Sequence, residues 1–230
     1  MISVRKADAR GRSRFGWLDS RHSFSFGEYF DPQHMGFSAL RVINDDSVTP
    51  GAGFGTHGHR DMEIISCVLD GVIAHKDSEG NSAELRPGEF QLMSAGSGIH
   101  HSEFNASATE PLHFLQIWIQ PRVYGQAPGY QQQTFAQKPG LTLVASPDGA
   151  EDSMVLKQDA RLYQLVLPAD NRLEFSLSGD RKSWIHVIHG TLALAGQALG
   201  PGDGLAVEHV QALSLVAAAE PVRALVFDLP

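Results

Sequence analysis

The stretch GFGTHGHRDMEIISCVLDG, Gly53 to Gly71, decides the reading of the fold. It opens with histidines at 57 and 59 spaced among glycines and continues as a run rich in isoleucine and valine that stops at Gly71. Side chains alternate faces along a strand, so His57 and His59 share a face if this segment is extended. Glu63 has the same parity, although Arg60, Asp61 and Met62 can bend the chain between them. Runs of the same kind recur on both sides of the stretch. FSALRVIND (37–45), EFQLMSAG (89–96), PLHFLQIWIQP (111–121) and LTLVASP (141–147) are followed by RLYQLVLP (161–168), SWIHVIHGTLALAG (183–196) and RALVFDLP (223–230). Each is bounded by Gly, Pro, Asn or Asp, and helical periodicity is scarce. Many short strands with turns at such spacing give an all-β chain built as a sandwich or barrel.

An internal echo divides it. CVLDG (67–71) leads to RPGEF (86–90), and HVIHG (186–190) leads to GPGDG (200–204). In both, an apolar strand ends at a glycine turn and another opens after a Pro-Gly-acid turn. Two similar β units in tandem account for the repeat. We expect an N-terminal unit over 1–123 and a C-terminal unit over 141–230. The segment 124–140, rich in Gly, Pro and Gln, reads as their linker.

Bulk properties narrow the function. The 230 residues suffice for two such units, and 42% hydrophobic residues can fill their cores. A net charge of −8 opposes a nucleic-acid footprint, which needs a basic patch. The basic run RKADARGR (5–12) reads as a solvated tail or edge. One cysteine, Cys67, leaves no intrachain disulfide and no thiolate site. No stretch approaches the roughly 18 apolar residues of a membrane helix, and the N-terminus carries no apolar leader core. A cytoplasmic protein is expected.

A second polar stretch, GIHHSEF (98–104), lies about forty residues beyond the first. There His101 and Glu103 share a face, while His100 and Ser102 take the other. Two strand pairs, His57 with His59 and His101 with Glu103, can converge on one divalent metal. Imidazole nitrogens with a carboxylate suit Fe, Mn, Co, Ni, Cu or Zn, and four ligands leave coordination positions open. Taken singly, each motif is also compatible with a surface pair. His100 rivals His101 on alternation alone, and the partner Glu103 favours His101.

Together these residues resemble a known family. Gly51-x5-His57-x-His59-x3-Glu63, closed by Gly71, looks like the first signature of the cupin superfamily. Gly88 through MSAGSGIHHSEF looks like a loosened second signature. More closely, GWLDSRHSFSFGEYFDP (16–32), GFSALRVINDD (36–46), GFGTHGHRDMEI (53–64), FQLMSAGSGIHHSE (90–103) and LQIWIQP (115–121) resemble the pirins, bicupins that bind one metal. The spacer from Glu63 to Gly71 and Ser94 depart from the general cupin pattern, and the pirin pattern accommodates both.

The resemblance implies two jelly-roll barrels and one metal in the first, iron or a replacement among Mn, Co, Ni, Cu and Zn. It assigns His57, His59, His101 and Glu103 as ligands. Glu63, a ligand in many cupins, falls behind the metal here, orienting a histidine or a water. Counting the same offsets back from Gly190 and forward from Gly202 lands on Ser176, Ser178, Lys182, Leu215 and Ala217, so the second unit is expected to hold no metal. The resemblance further implies a dioxygenase that cleaves a flavonol such as quercetin with O2, Glu103 taking the proton of the substrate's enolic hydroxyl. The competing implication is a metal- or redox-dependent regulator that binds a protein partner without turnover. Phe54, Leu92 and Met93 are expected near an aromatic ligand. Cys67 is expected to face the barrel interior, His113, Phe114 and Trp118 to pack the core or line a pocket, and His75 and Lys76 to be solvated. His22 reads as a hydrogen-bonded structural residue, and His186 and His189 as structural or surface.

Overall fold

The computed structural model describes every residue from Met1 to Pro230, almost all of it in strands and turns. In chain order, β1 is Ile2–Arg5, β2 Gly11–Arg14, β3 Leu18–His22, β4 Leu40–Val48, β5 Gly53–His59 and β6 Glu63–Asp70. They are followed by β7 (Ile73–Asp77), β8 (Ser82–Leu85), β9 (Glu89–Ser94), β10 (Ile99–Asn105), β11 (Leu112–Ile119) and β12 (Gly129–Thr134). The second half holds β13 (Gly140–Ser146), β14 (Met154–Val155), β15 (Arg161–Leu167), β16 (Arg172–Ser176) and β17 (Lys182–His189). It ends with β18 (Leu192–Leu194), β19 (Gln197–Leu199), β20 (Gly204–Val207), β21 (Ala212–Ala217) and β22 (Val222–Leu229).

Two compact units form. One comprises Gly11–Phe135 with Leu156–Gln158, the other Met1–Arg10, Ala136–Val155 and Asp159–Pro230. The first folds as a seven-stranded sheet, β12-β9-β6-β11-β4-β3-β2, with a four-stranded sheet, β5-β10-β7-β8. The second repeats the plan, with β1-β20-β17-β22-β15-β13-β14 and β16-β21-β18-β19. This is the tandem pair of all-β cupin barrels that the echo announced, and strands are not exchanged at random. The order β9-β6-β11-β4 returns as β20-β17-β22-β15.

Chain segments depart from the expected boundaries in three places. The run that begins at Arg5 is an edge and not a tail: Ile2–Arg5 pairs antiparallel with β20 as the outermost strand of the second unit's larger sheet. The Gly/Gln-rich segment contains β12, whose Gly129–Thr134 pairs with β9. Leu156–Gln158 returns to the first unit, where the Lys157 amide donates to Glu63 Oε2 at 3.1 Å. Sheet edges explain the first two, since an unpaired edge strand recruits any extended segment that can supply its hydrogen bonds.

The second barrel is filled with hydrocarbon. Leu215 and Ala217, at the positions matching His101 and Glu103, lie buried in one cluster with Leu192, Leu194 and Val187. In the first barrel, Val68, Ile73, Leu85 and Phe114 pack one apolar cluster, and Ile64, Met93 and Ile99 another.

Candidate metal centre

The register of the four-stranded sheet assembles the polar residues. β10 lies between β5 and β7, with Ile99 opposite His59, His101 opposite both His57 and Asp77, and Glu103 opposite His75. Residues paired directly across strands have their side chains on the same face. Between His101 and Glu103 the β5 register shifts, so Glu103 faces Phe54 instead of Gly55. This bulge turns Phe54 into the barrel, where it joins Val68, Ile73 and Phe114.

Three imidazoles meet. Coordinating nitrogens of His57, His59 and His101 lie within 4.8 Å of one another. His57 Nε2 and His101 Nε2 are 3.1 Å apart. Two nitrogens on adjacent sites of one ion, each about 2.0–2.1 Å from it, stand about 3 Å apart, so this pair fits a shared cation. His57 Nδ1 lies 2.8 Å from the Gly55 carbonyl, which makes Nδ1 the protonated nitrogen and leaves Nε2 as a lone pair toward the cluster. Burial, reinforced by the other imidazoles, lowers His59 to about 4 and His101 to about 3. Both are therefore neutral at pH 7, the form a metal requires.

Glu103 lies deeper. Its carboxylate groups with His101 and His75, again within 4.8 Å, and not with all three imidazoles of the first cluster. Gln116 Nε2 donates to Oε2 at 2.6 Å, and Ser66 Oγ lies 3.1 Å from Oε1. Burial pushes Glu103 up to about 7, with the Ser66 and Gln116 bonds opposing it. A buried carboxylate held by neutral donors lacks a counter-charge, and a cation at the adjoining imidazoles supplies one. The three imidazoles fit a divalent ion, and His101, common to both groups, links them to Glu103 and His75. His101 Nδ1 is buried with no hydrogen-bond partner.

The support behind Glu103 is one polar row. Pairings across the large sheet align Gln91, Ser66, Gln116, Asn44 and His22 on successive strands. His22 is held as expected, its Nδ1 2.7 Å from Asn44 Oδ1 and its Nε2 2.9 Å from Ser13 Oγ.

Other expectations need correction. His75 is no solvated hairpin residue: it is 2% exposed, lies 5.4 Å from His101 between ring centroids, and its Nε2 is 3.3 Å from Asp77 Oδ2. Alternation in IAHKD, where His75 and Asp77 share parity with Ile73, carried that signal. Glu63 touches no histidine of the cluster; it accepts from Ser94 Oγ at 2.9 Å and from the Lys157 amide. Cys67 and Leu92 are buried on the face opposite Ser66 and Gln91, hence not toward the interior of their barrel. His113 points outward to Asp45 Oδ1 at 2.6 Å, whereas Phe114 is buried and Trp118 packs edge-on to His59 at 4.9 Å.

Two tandem cupin barrels, the first carrying clustered imidazoles and a buried carboxylate, define a bicupin with a one-sided site. The comparisons narrow the class. The pirin family's sequence profile matches residues 3–119, and that of the quercetinase C-terminal cupin domain matches 143–229. The chain is 48% identical over 230 residues to quercetin 2,3-dioxygenase of Escherichia coli K12, covering 100% of this chain and 99% of that one. It is 36% identical over 221 residues to a pirin-like protein of Caulobacter vibrioides, with coverage of 94% and 95%. The crystal structure of the bacterial pirin YhhW from Escherichia coli in complex with nickel(II) superposes with a TM-score of 0.97 at 48% identity, covering 100% and 99%. The chain belongs to the pirin family.

Proposed function

We propose that the protein is a metal-dependent dioxygenase that opens a flavonol such as quercetin with O2, using one divalent transition metal held by His57, His59, His101 and Glu103. The observation that carries this reading is the 3.1 Å approach of His57 Nε2 and His101 Nε2 beside a buried carboxylate that lacks a counter-charge. It is supported by the relatives named quercetin 2,3-dioxygenase and by the nickel complex of the Escherichia coli pirin. Nickel in that relative fits the same donor chemistry, and iron is the ion we favour for dioxygen chemistry.

Such a metal would supply an open coordination edge and the electron exchange that lets an enolate react with dioxygen. The chain's own residues do the rest. Glu103 takes the proton from the substrate's enolic hydroxyl onto a carboxylate oxygen, while Gln116 and Ser66 hold that carboxylate in place. Trp118 and Phe54 flank the histidines at 4.9 and 6.4 Å and keep water from the substrate's path. Both oxygen atoms of O2 enter the product, so no external reductant is consumed.

A sealed or shallow site would suit a regulator, whereas an apolar cavity beside the histidines suits turnover. A cavity of about 190 Å³, lined in part by Phe26 and Phe54, comes nearest the cluster at Phe54, whose ring centroid lies 6.4 Å from that of His57, and none of the four donor residues lines it. The single buried cysteine and the acidic charge favour a cytoplasmic setting, and no helix is long and apolar enough to cross a membrane. The test is oxygen uptake by iron(II)-loaded protein given quercetin, with the His57→Ala, His59→Ala double variant as control. Uptake in step with quercetin loss, absent from the variant, is expected. No uptake by protein with confirmed bound metal would overturn the enzyme reading and favour a partner-binding regulator.

A further inference from the structure

His75 is a buried histidine that the site above leaves unused, and its surroundings are those of a metal ligand. β7 and β10 pair with His75 opposite Glu103 and Asp77 opposite His101, so four polar side chains share one face of the small sheet. His75, His101 and Glu103 are 2%, 1% and 3% exposed. One ligand atom from each lies within 4.8 Å of the other two, the same spacing that unites His57, His59 and His101.

The neighbours of His75 fix its orientation. Its Nε2 is 3.3 Å from Asp77 Oδ2. Asp77 is itself anchored, accepting from the Glu79 and Asn81 amides at 3.0 Å each and from Asn81 Nδ2 at 2.8 Å. Tyr130 packs on the imidazole with 5.0 Å between ring centroids and restricts its rotation. Donation from Nε2 to Asp77 leaves Nδ1 as a lone pair, the way a carboxylate prepares an imidazole to bind a metal. His75 Nδ1 and His101 Nδ1 are both buried, and neither has a hydrogen-bond partner. Buried polar atoms are ordinarily satisfied, so two exceptions beside one buried carboxylate call for a common reason. A water molecule would pair the nitrogens and leave the carboxylate's charge unbalanced. A cation answers both needs.

We propose that the first barrel has a second, inner cation position, formed by His75, His101 and Glu103, for a divalent transition metal of the zinc and cobalt type. Two imidazoles and one carboxylate are a ligand set that such ions accept. His101 presents Nε2 toward His57, and its unpaired atom is Nδ1. A neutral imidazole has one lone pair, so His101 serves the outer position or the inner one and not both. The chain therefore holds a single ion in either of two places, the inner one shut away from solvent and without the open edge that turnover needs. This deepens the metal-site reading above and rests on it only for the outer ligands.

The test is cobalt(II) binding to the full-length chain, read by metal content and by the visible absorption of the bound ion. Wild type is expected to bind one ion per chain. The His57→Ala, His59→Ala double variant should also bind one, about 10–100-fold more weakly and with a changed spectrum. Adding His75→Ala to it should abolish that binding, whereas His75→Ala alone keeps the wild-type affinity within about twofold. His75→Phe, which keeps a ring against Tyr130 and has no lone pair, covers the case in which the alanine variant does not fold. A double variant that binds no cobalt(II), or that binds it undiminished once His75 is replaced, overturns the proposal. Oxygen uptake separates this from the function above. Binding that depends on His75 in the double variant, without uptake by the iron-loaded wild type, retains the inner position and rejects the dioxygenase.

Discussion

At the scale of single residues, His59 and Glu103 do different work, and their variants should separate it. His59 is neutral and half-buried beside two other imidazoles, so truncating it removes a lone pair without emptying an apolar core. We expect His59→Ala to lose at least about tenfold in metal affinity, in line with the loss of one ligand, while the thermal midpoint of the metal-free protein shifts by only a few degrees. Wild-type metal content in that variant would remove His59 from the ligand set. Glu103 should reveal itself through protons. Raised to about 7, it holds its proton at pH 6, and a cation beside it favours the ionised form. Metal uptake at pH 6 should therefore release about one proton more from wild type than from Glu103→Gln, read by calorimetry in buffers of different ionisation enthalpy. Equal release by the two proteins would place Glu103 outside the metal's influence.

At the scale of elements, alternation was sufficient within a strand and failed across turns and bulges. The pairs His57 with His59 and His101 with Glu103 each lie within one strand, and their shared faces were legible from spacing alone. Glu63 has the same parity as His59, but Arg60–Met62 intervenes and Asp61 takes a left-handed φ of 52°. The face count restarts at β6, so Ser66 and not Glu63 reaches Glu103. The bulge opposite Glu103 likewise turns Phe54 inward where parity points to Gly55. His75 was legible in principle, yet its neighbour Lys76 and the following turn made the strand look like a solvated hairpin. None of these irregularities leaves a mark in hydrophobic periodicity, because each depends on pairing partners distant in sequence. The β5–β10 pairing can be tested directly at Gly53. A Cβ there would lie 2.3 Å from the Glu103 carbonyl oxygen and 2.4 Å from Phe104 Cα, both backbone atoms that cannot swing aside. Gly53→Ala should force the strands apart, costing about 1–3 kcal/mol by overpacking and loosening His57 and His59. The reading is a fall in both thermal midpoint and metal affinity. An unchanged affinity would mean that the histidines are positioned without this contact.

At the scale of the whole molecule, one plan was used twice and chemistry was kept once. Gly71 and Gly190 end matching strands at φ of 80° and 79°, and a Cβ on either would meet the carbonyl of Pro111 or Pro221. The same turn thus serves both units, which is why the echo could be read from sequence. What differs is the interior: leucines fill the second barrel, while the first encloses several carboxylates, of which Glu103 and Asp46 are each raised to about 7 by burial. Buried acids have a stability cost with a definite sign. Asp46 has a folded-state value of about 7 against 3.8 in the open chain. Between those limits the unfolded chain has given up its proton and the folded protein keeps it, so the stability this group contributes is present at low pH and declines as pH rises through about 7. Above that, both states are ionised and the loss is complete. Asp46→Asn keeps the shape and removes the titration. In metal-free protein, the stability of Asp46→Asn relative to wild type should therefore increase by about 2–3 kcal/mol between pH 5 and pH 8. Urea unfolding at the two pH values measures it, and comparing the two proteins at each pH cancels the opposing contribution of the depressed histidines. A difference that stays flat, or grows toward acid, would mean that Asp46 is ionised throughout and shares its charge with a partner.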